Sequence, residues 1–138
     1  MAQKHVVARV DEIPPGKNVA VTLSGRPVVV FNIAGEFFAL LDKCPHQGAR
    51  LCHGVLTGFV TADGVGKSKV TRAGEILMCP RHGWEFDVRT GQSYFDPLRT
   101  KVKMYPSEVT HGEEIVKGPY VAETFPVEIE KDYVVVTV

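Results

Sequence analysis

Two short segments carry most of the chemical information in this sequence: Cys44-Pro45-His46-Gln47-Gly48 and Cys79-Pro80-Arg81-His82-Gly83-Trp84. Each segment pairs a thiolate donor with an imidazole donor, with one intervening residue in the first and two in the second. Each also contains a proline, which stiffens a loop, and a glycine one or two residues after the histidine, where the backbone can approach a bulky group closely. Together the two segments offer two sulfur and two nitrogen ligands to a metal centre.

Two kinds of metal centre take this donor set. Zinc binds two cysteines and two histidines tetrahedrally, but its usual spacing groups cysteine with cysteine and histidine with histidine. A Rieske-type [2Fe–2S] cluster also takes two cysteines and two histidines, with both histidines on one iron. Mixed Cys–His segments suit the cluster, because each segment then gives one ligand to each iron. The spacing favours iron and sulfide, and a zinc-stabilised binding module is the alternative from another functional class.

At these residues the sequence resembles the Rieske ferredoxin family, in its low-potential, oxygenase-associated type. The matching motifs cover residues 44–49 and 79–87 and continue to 90–91. The resemblance implies one [2Fe–2S] cluster per chain with four protein ligands: Cys44 and Cys79 on one iron, His46 and His82 on the other.

Short strands at about ten-residue spacing predict an all-β antiparallel sandwich or barrel. The predicted strands cover residues 5–10, 18–23, 28–33, 36–41, 76–78, 84–87, 100–105, 125–130 and 133–138. We expect one Rieske-like domain over residues 1–138, with an inserted loop-rich cluster-binding subdomain at approximately 43–97. Residues 57–74, an exposed loop or hairpin, and residues 108–123 are interpreted as additions to the family pattern.

Composition excludes several classes of function. The chain has 138 residues, and its 16 basic and 16 acidic side chains cancel, which argues against a nucleic-acid or membrane-surface partner. No apolar run approaches the ~20 residues that span a bilayer. The first residues lack the apolar core of a signal peptide, and three cysteines without such a peptide argue against a disulfide framework. We therefore expect a cytoplasmic protein.

The resemblance implies an electron-transfer component of an oxidoreductase system rather than an enzyme, so no catalytic residue is predicted. Such a soluble one-electron carrier takes electrons from a flavin-dependent reductase and passes them to a terminal oxygenase, as in dioxygenase systems. The alternative within the family is a small Rieske subunit of a larger redox enzyme such as nitrite reductase. The loops at 45–49 and 80–84 are expected to form the docking surface.

The residues beside the second segment predict a low redox potential. High-potential Rieske proteins resemble this chain in their ligands but place serine and tyrosine hydroxyls against the cluster, where this sequence has Trp84 and Phe86. Hydrogen bonds to the sulfurs stabilise the reduced cluster and raise its potential, so their absence lowers it.

The remaining cysteine and histidines receive ordinary structural interpretations. Cys52 is expected to be a small buried residue or an inert thiol, and His53 a solvated loop side chain. His5 and His111 have no neighbouring donors in the sequence, which predicts surface positions for both.

Overall fold

The computed structural model describes residues 3–44, 50–62, 68–79, 85–93, 101–118, 120 and 127–138. Within these ranges all strand pairings are antiparallel, and the one α-helix has six residues. The elements are β1 (Lys4–Arg9), β2 (Asn18–Leu23), β3 (Arg26–Ile33), β4 (Glu36–Leu41), β5 (Val55–Ala62), β6 (Ser68–Met78), β7 (Glu85–Asp87), β8 (Met104–Tyr105), β9 (Ser107–His111), α1 (Gly112–Lys117) and β10 (Asp132–Thr137). The predicted all-β antiparallel class is confirmed.

The elements group into two compact units. The first unit comprises residues 1–41 and 104–138, and the second comprises residues 42–103. In the first unit lie a three-stranded sheet in the order β1-β10-β9 and a four-stranded sheet in the order β2-β3-β4-β8. The second unit contains the three-stranded sheet β5-β6-β7.

β10 is the centre of the first unit because both of its faces are covered. Its residues 133–136 are each 0% exposed. Val134 and Val136 belong to the core cluster that also contains Val28 and Val30 of β3. The alternate residues, Tyr133 and Val135, pack in a second cluster with Ile115 of α1. Successive side chains of a strand point to opposite faces, so covering both faces explains the unbroken apolar sequence of β10.

The β2-β3-β4 hairpins follow directly from their turn residues. Ser24-Gly25 and Ala34-Gly35 both have left-handed backbone, with φ values of 51° and 76° in the first pair and 52° and 92° in the second. Two-residue turns of this handedness match the natural twist of paired strands. The predicted bounds of β2 and β4 are confirmed by the structure.

The predicted strand at 125–130 is wrong in its described part. Residues 127–130 lead into a turn, in which the Lys131 N–H donates to the Glu128 carbonyl at 3.2 Å. The alternation of Val127 and Ile129 with polar residues is typical of a strand, but Ile129 is 57% exposed. Among the described residues β10 pairs instead with β1 and with β9, and four of the five residues of β9 belong to the segment 108–123 that was interpreted as an addition.

The surface prediction for His5 is also wrong, whereas that for His111 is confirmed. His5 is 7% exposed, and its Nε2 lies 3.1 Å from the Ser24 hydroxyl, a partner 19 residues away that no local pattern indicates. His111 is exposed and pairs with Asp132 through Nδ1 at 2.9 Å.

In the described part of the chain, no helix has the length and apolar character that spanning a bilayer requires.

Candidate metal centre

The two predicted cysteine ligands are both buried in the second unit. Cys44 is 1% exposed and Cys79 is 3% exposed. None of the three cysteines is in a disulfide. His46 and His82, the predicted imidazole ligands, lie outside the described residues, as do Trp84 and the predicted docking loops at 45–49 and 80–84.

Strand pairing places residues that follow the first ligand segment beside the strand that leads to the second. A short 3₁₀ turn at Leu51–His53 leads through Gly54 into β5, whose first residue pairs with Met78, the residue before Cys79. Gly54 approaches this strand so closely that an added Cβ would lie 2.5 Å from the Met78 carbonyl oxygen. The chain near residue 54 is therefore in direct contact with the strand that positions Cys79.

The predicted loop or hairpin at 57–74 is a hairpin, formed by β5 and β6, with residues 63–67 outside the description. Its pairing begins at Val55–Met78 and reaches Ala62–Ser68 at the far end. A strand rises roughly 3.3 Å per residue, so this far end lies on the order of 20 Å along the hairpin from Met78.

A buried carboxylate joins residues on the two sides of the first ligand segment. The Asp42 side chain is 0% exposed, and its Oδ2 accepts from Arg50 Nε at 3.0 Å and Nη2 at 2.7 Å. Its Oδ1 accepts from the Cys52 N–H at 2.8 Å. Burial acts to raise the pKa of Asp42, but these hydrogen bonds and the Arg50 charge outweigh it and bring the pKa below its usual value. Asp42 is therefore held as a carboxylate.

Burial and the same carboxylate raise the pKa of the Cys52 thiol. Burial raises the pKa of the Cys52 thiol, and hydrogen bonding to Asp42 and the charge of Asp42 raise it further. A metal ligand must be a thiolate, so this environment disfavours ligation by Cys52. His53 is exposed, as expected for a solvated loop side chain, and Cys52 is half-buried.

An ion pair fixes the chain on the far side of the second segment. Arg89 Nε lies 2.5 Å from Glu75 Oε1, and the Val88 N–H donates to the Glu75 carbonyl at 3.1 Å. These contacts join β6 to the turn after β7. Phe86, in β7 itself, is fully buried. The strand after the second ligand segment is thereby anchored to the strand before it.

The sulfur half of the predicted donor set suits an iron–sulfur cluster. Cysteine thiolates are the protein ligands of such clusters, and a buried site shields them from solvent. Cys44 and Cys79 supply two buried sulfurs outside disulfides. No group of three or more metal-binding side chains converges among the described residues, a set that does not include the two histidines.

The sequence motifs did not reveal Asp42 or Arg50. An aspartate at the end of an apolar strand is ordinary, and Arg50 is eight residues away. The one available signal is that the two opposite charges flank the first Cys–His segment.

Comparison with known proteins identifies the family. A family model described as the Rieske [2Fe–2S] domain matches residues 3–106, which is most of the chain. The chain therefore belongs to the Rieske [2Fe–2S] domain family. The biphenyl dioxygenase ferredoxin subunit of Pseudomonas sp. (strain KKS102) is 32% identical over 107 residues, covering 78% of this chain and 84% of that protein. The predicted resemblance to Rieske-type ferredoxins is confirmed.

Solved structures share the fold. The structure described as a putative NADH-dependent nitrite reductase small subunit from Mycobacterium tuberculosis has a TM-score of 0.65 at 22% identity, covering 100% of this chain and 96% of that chain. A chain in the complex of reduced oxygenase and oxidized ferredoxin in carbazole 1,9a-dioxygenase has a TM-score of 0.60 at 22% identity, covering 95% of this chain and 91% of that one.

Proposed function

We propose that this protein is a one-electron carrier, not an enzyme, that delivers electrons to a terminal oxygenase. Its single [2Fe–2S] cluster would be held by Cys44 and Cys79 on one iron and by His46 and His82 on the other. The observation that carries the proposal is the pair of buried cysteines outside disulfides, both within the residues that match the Rieske [2Fe–2S] domain. When bound, the cluster takes up and releases one electron.

The chain's own residues supply the environment for this transfer. Burial of Cys44 and Cys79 excludes water from the sulfur side of the site. Asp42 and Arg50 form an ion pair across the first ligand segment, and Gly54 contacts the strand before Cys79. Electrons would pass through His46 or His82, in the loops at 45–49 and 80–84 that would dock the partners.

The donor, the acceptor and the compartment belong to the same proposal. The relative from Pseudomonas is named as a ferredoxin subunit of a dioxygenase, which supports a terminal oxygenase as acceptor. A flavin-dependent reductase is the proposed donor, since it can divide a hydride's electron pair into single electrons. Thiols outside disulfides are compatible with the reducing cytoplasm. The compact unit at 42–103 supports a cluster-binding subdomain at approximately 43–97.

Metal analysis and EPR test the proposal with a matched pair of variants. The protein is purified without oxygen, reduced with dithionite, and analysed for iron, acid-labile sulfide and zinc. We expect two irons and two sulfides per chain and a rhombic signal with the low average g value of histidine-ligated clusters. Cys79→Ser should abolish the signal, whereas Cys52→Ser should retain it, because burial and Asp42 raise the pKa of the Cys52 thiol and disfavour the thiolate that a metal needs.

Each alternative gives a different result. Zinc without an EPR signal would overturn the electron carrier in favour of a zinc-stabilised module. A cluster that co-purifies only within a stable large complex would indicate a small subunit of a larger redox enzyme. Loss of the cluster in Cys52→Ser, but not in Cys79→Ser, would overturn the assigned sulfur ligands.

A further inference from the structure

We propose that Asp42 is a positioning residue for the metal centre, which clamps the loop carrying Cys44 and His46 by binding Arg50 and the Cys52 backbone. This inference deepens the proposed function and rests on its ligand assignment. The clamp would govern how firmly the first ligand segment retains iron, without contributing a ligand itself.

The geometry of Asp42 is that of a closed clamp. Both carboxylate oxygens are occupied, Oδ2 by two guanidinium nitrogens at 2.7 and 3.0 Å and Oδ1 by the Cys52 N–H at 2.8 Å. The carboxylate is 0% exposed while the Arg50 side chain is 54% exposed. Charge-assisted bonds of this kind are stronger than neutral ones, and an unpaired buried charge is costly. The open alternative, with Asp42 unpaired, is therefore strongly disfavoured.

The clamp encloses the residues that bear ligands. Its two ends, at Asp42 and Arg50, are eight residues apart, and the proposed ligands Cys44 and His46 lie between them. Fixing the two ends at Asp42 and Arg50 reduces the number of conformations available to the loop. The loop therefore loses less conformational entropy when its two ligands bind one centre.

The clamp also reaches the second ligand segment through the backbone. Cys52, whose N–H binds Asp42, lies in the 3₁₀ turn that precedes Gly54. Gly54 is in close contact with the backbone of Met78, directly before Cys79. A change at Asp42 can therefore alter the spacing of both cysteine segments.

The test measures loss of the cluster to a chelator in Asp42→Asn and Arg50→Gln. Asparagine has the shape of aspartate but no charge, and Arg50→Gln changes a half-exposed residue in case the buried substitution prevents folding. Replacing groups that orient metal ligands typically weakens metal retention about 10- to 100-fold. We expect both variants to release iron at least about tenfold faster than wild type. The double variant should be no faster than the faster single variant, because each change removes the same interaction.

Ile13→Val serves as the control for a general loss of stability. Ile13 is 1% exposed, lies in the first unit and is not part of the clamp. It should lower the thermal unfolding midpoint while leaving the iron-release rate within about twofold of wild type, since its substitution removes only one buried methylene. The EPR line widths provide a second readout: they should broaden in Asp42→Asn and stay unchanged in Ile13→Val.

Amide hydrogen exchange on the metal-free protein separates this inference from the ligand assignment. We expect Asp42→Asn to speed exchange in the peptide 43–54, which contains the Cys52 N–H, but not at 132–137. Unchanged exchange in the peptide 43–54, or wild-type iron release in both clamp variants, would overturn the positioning role while leaving the cluster in place. A wild-type protein with no iron would instead overturn the proposed function, and the exchange result would still decide whether the clamp exists.

Discussion

Replacing Gly54 with alanine tests the close backbone contact between Gly54 and Met78, the residue before Cys79. An added Cβ would lie 2.5 Å from the Met78 carbonyl oxygen, 2.9 Å from Leu77 Cδ1 and 3.1 Å from the Leu51 carbonyl oxygen. Ordinary contacts begin at 3.4 Å, so the residue before Cys79 would have to move by about 0.9 Å. Gly54 has a φ of −73°, which any residue adopts, so the whole cost is steric.

The expected cost follows from what the methyl group meets. Overpacking costs roughly 1–3 kcal/mol, and we expect the upper end because two of the three contacts are backbone atoms that cannot rotate away. For a protein of this size, about 3 kcal/mol lowers the thermal midpoint by about 10 °C. The displacement also reaches Cys79, so iron content should fall together with stability.

Circular dichroism melts and iron analysis measure both effects, with Gly16→Ala as the control. Gly16 has a φ of +80° and nothing within 4 Å of an added Cβ, so alanine there meets only backbone strain. That strain costs about 1–2 kcal/mol, and the iron content should stay at the wild-type value. A Gly54→Ala protein with a wild-type midpoint and full iron content would refute the close contact.

Three further expectations concern the redox potential, the third cysteine and the hairpin. A redox titration should give a midpoint toward the bottom of the roughly −150 to +300 mV range of Rieske centres, because the buried Phe86 offers no hydroxyl; a midpoint well above zero would contradict this. At about pH 8, iodoacetamide should alkylate Cys52 more slowly than free cysteine, because burial and Asp42 raise the thiol pKa and leave less thiolate. Peptide mass spectrometry follows this reaction, and Asp42→Asn should accelerate it; equal rates in both proteins would show that Asp42 does not control the thiol. Replacing residues 60–70 with a short turn should leave iron content unchanged, because the pairing of Val55 with Met78 remains. Loss of iron would refute that, and an unchanged rate of reduction by a reductase would count against a docking role for the hairpin.

The local part of the fold was predictable from the sequence. β2 and β4 were predicted with their observed bounds, because runs of β-branched and aromatic residues meet glycine-containing turns there. The turn after β2 was predicted over residues 24–27, but Arg26 and Pro27 already belong to β3. The candidate cysteine ligands could also be identified from the sequence, since the Cys–His spacing reflects chemistry confined to a few neighbouring residues. Both signals are encoded within about ten residues, the length over which strand and turn patterns act.

Contacts between distant residues could not be predicted in this way. The apolar alternation at 125–130 predicts a strand, but whether it pairs depends on which strand lies beside β10, and that place is taken by β9. The burial of His5 depends on Ser24, and the charge pair of Asp42 and Arg50 depends on the path of the loop between them. Each of these outcomes is set by tertiary packing, which periodicity and propensity do not describe.

The pairing of β10 with β1 affects the order in which parts of the protein fold during synthesis. Lys4 pairs with Thr137, so the sheet that contains β1 cannot close until almost all of this sequence has left the ribosome. The unit at 42–103 is continuous in sequence and is translated earlier, with all four proposed ligands complete by residue 82. Domains fold as units during synthesis, N-terminal segments first. All the sulfur and nitrogen donors of the nascent chain are thus synthesised before β10, the strand with which β1 pairs.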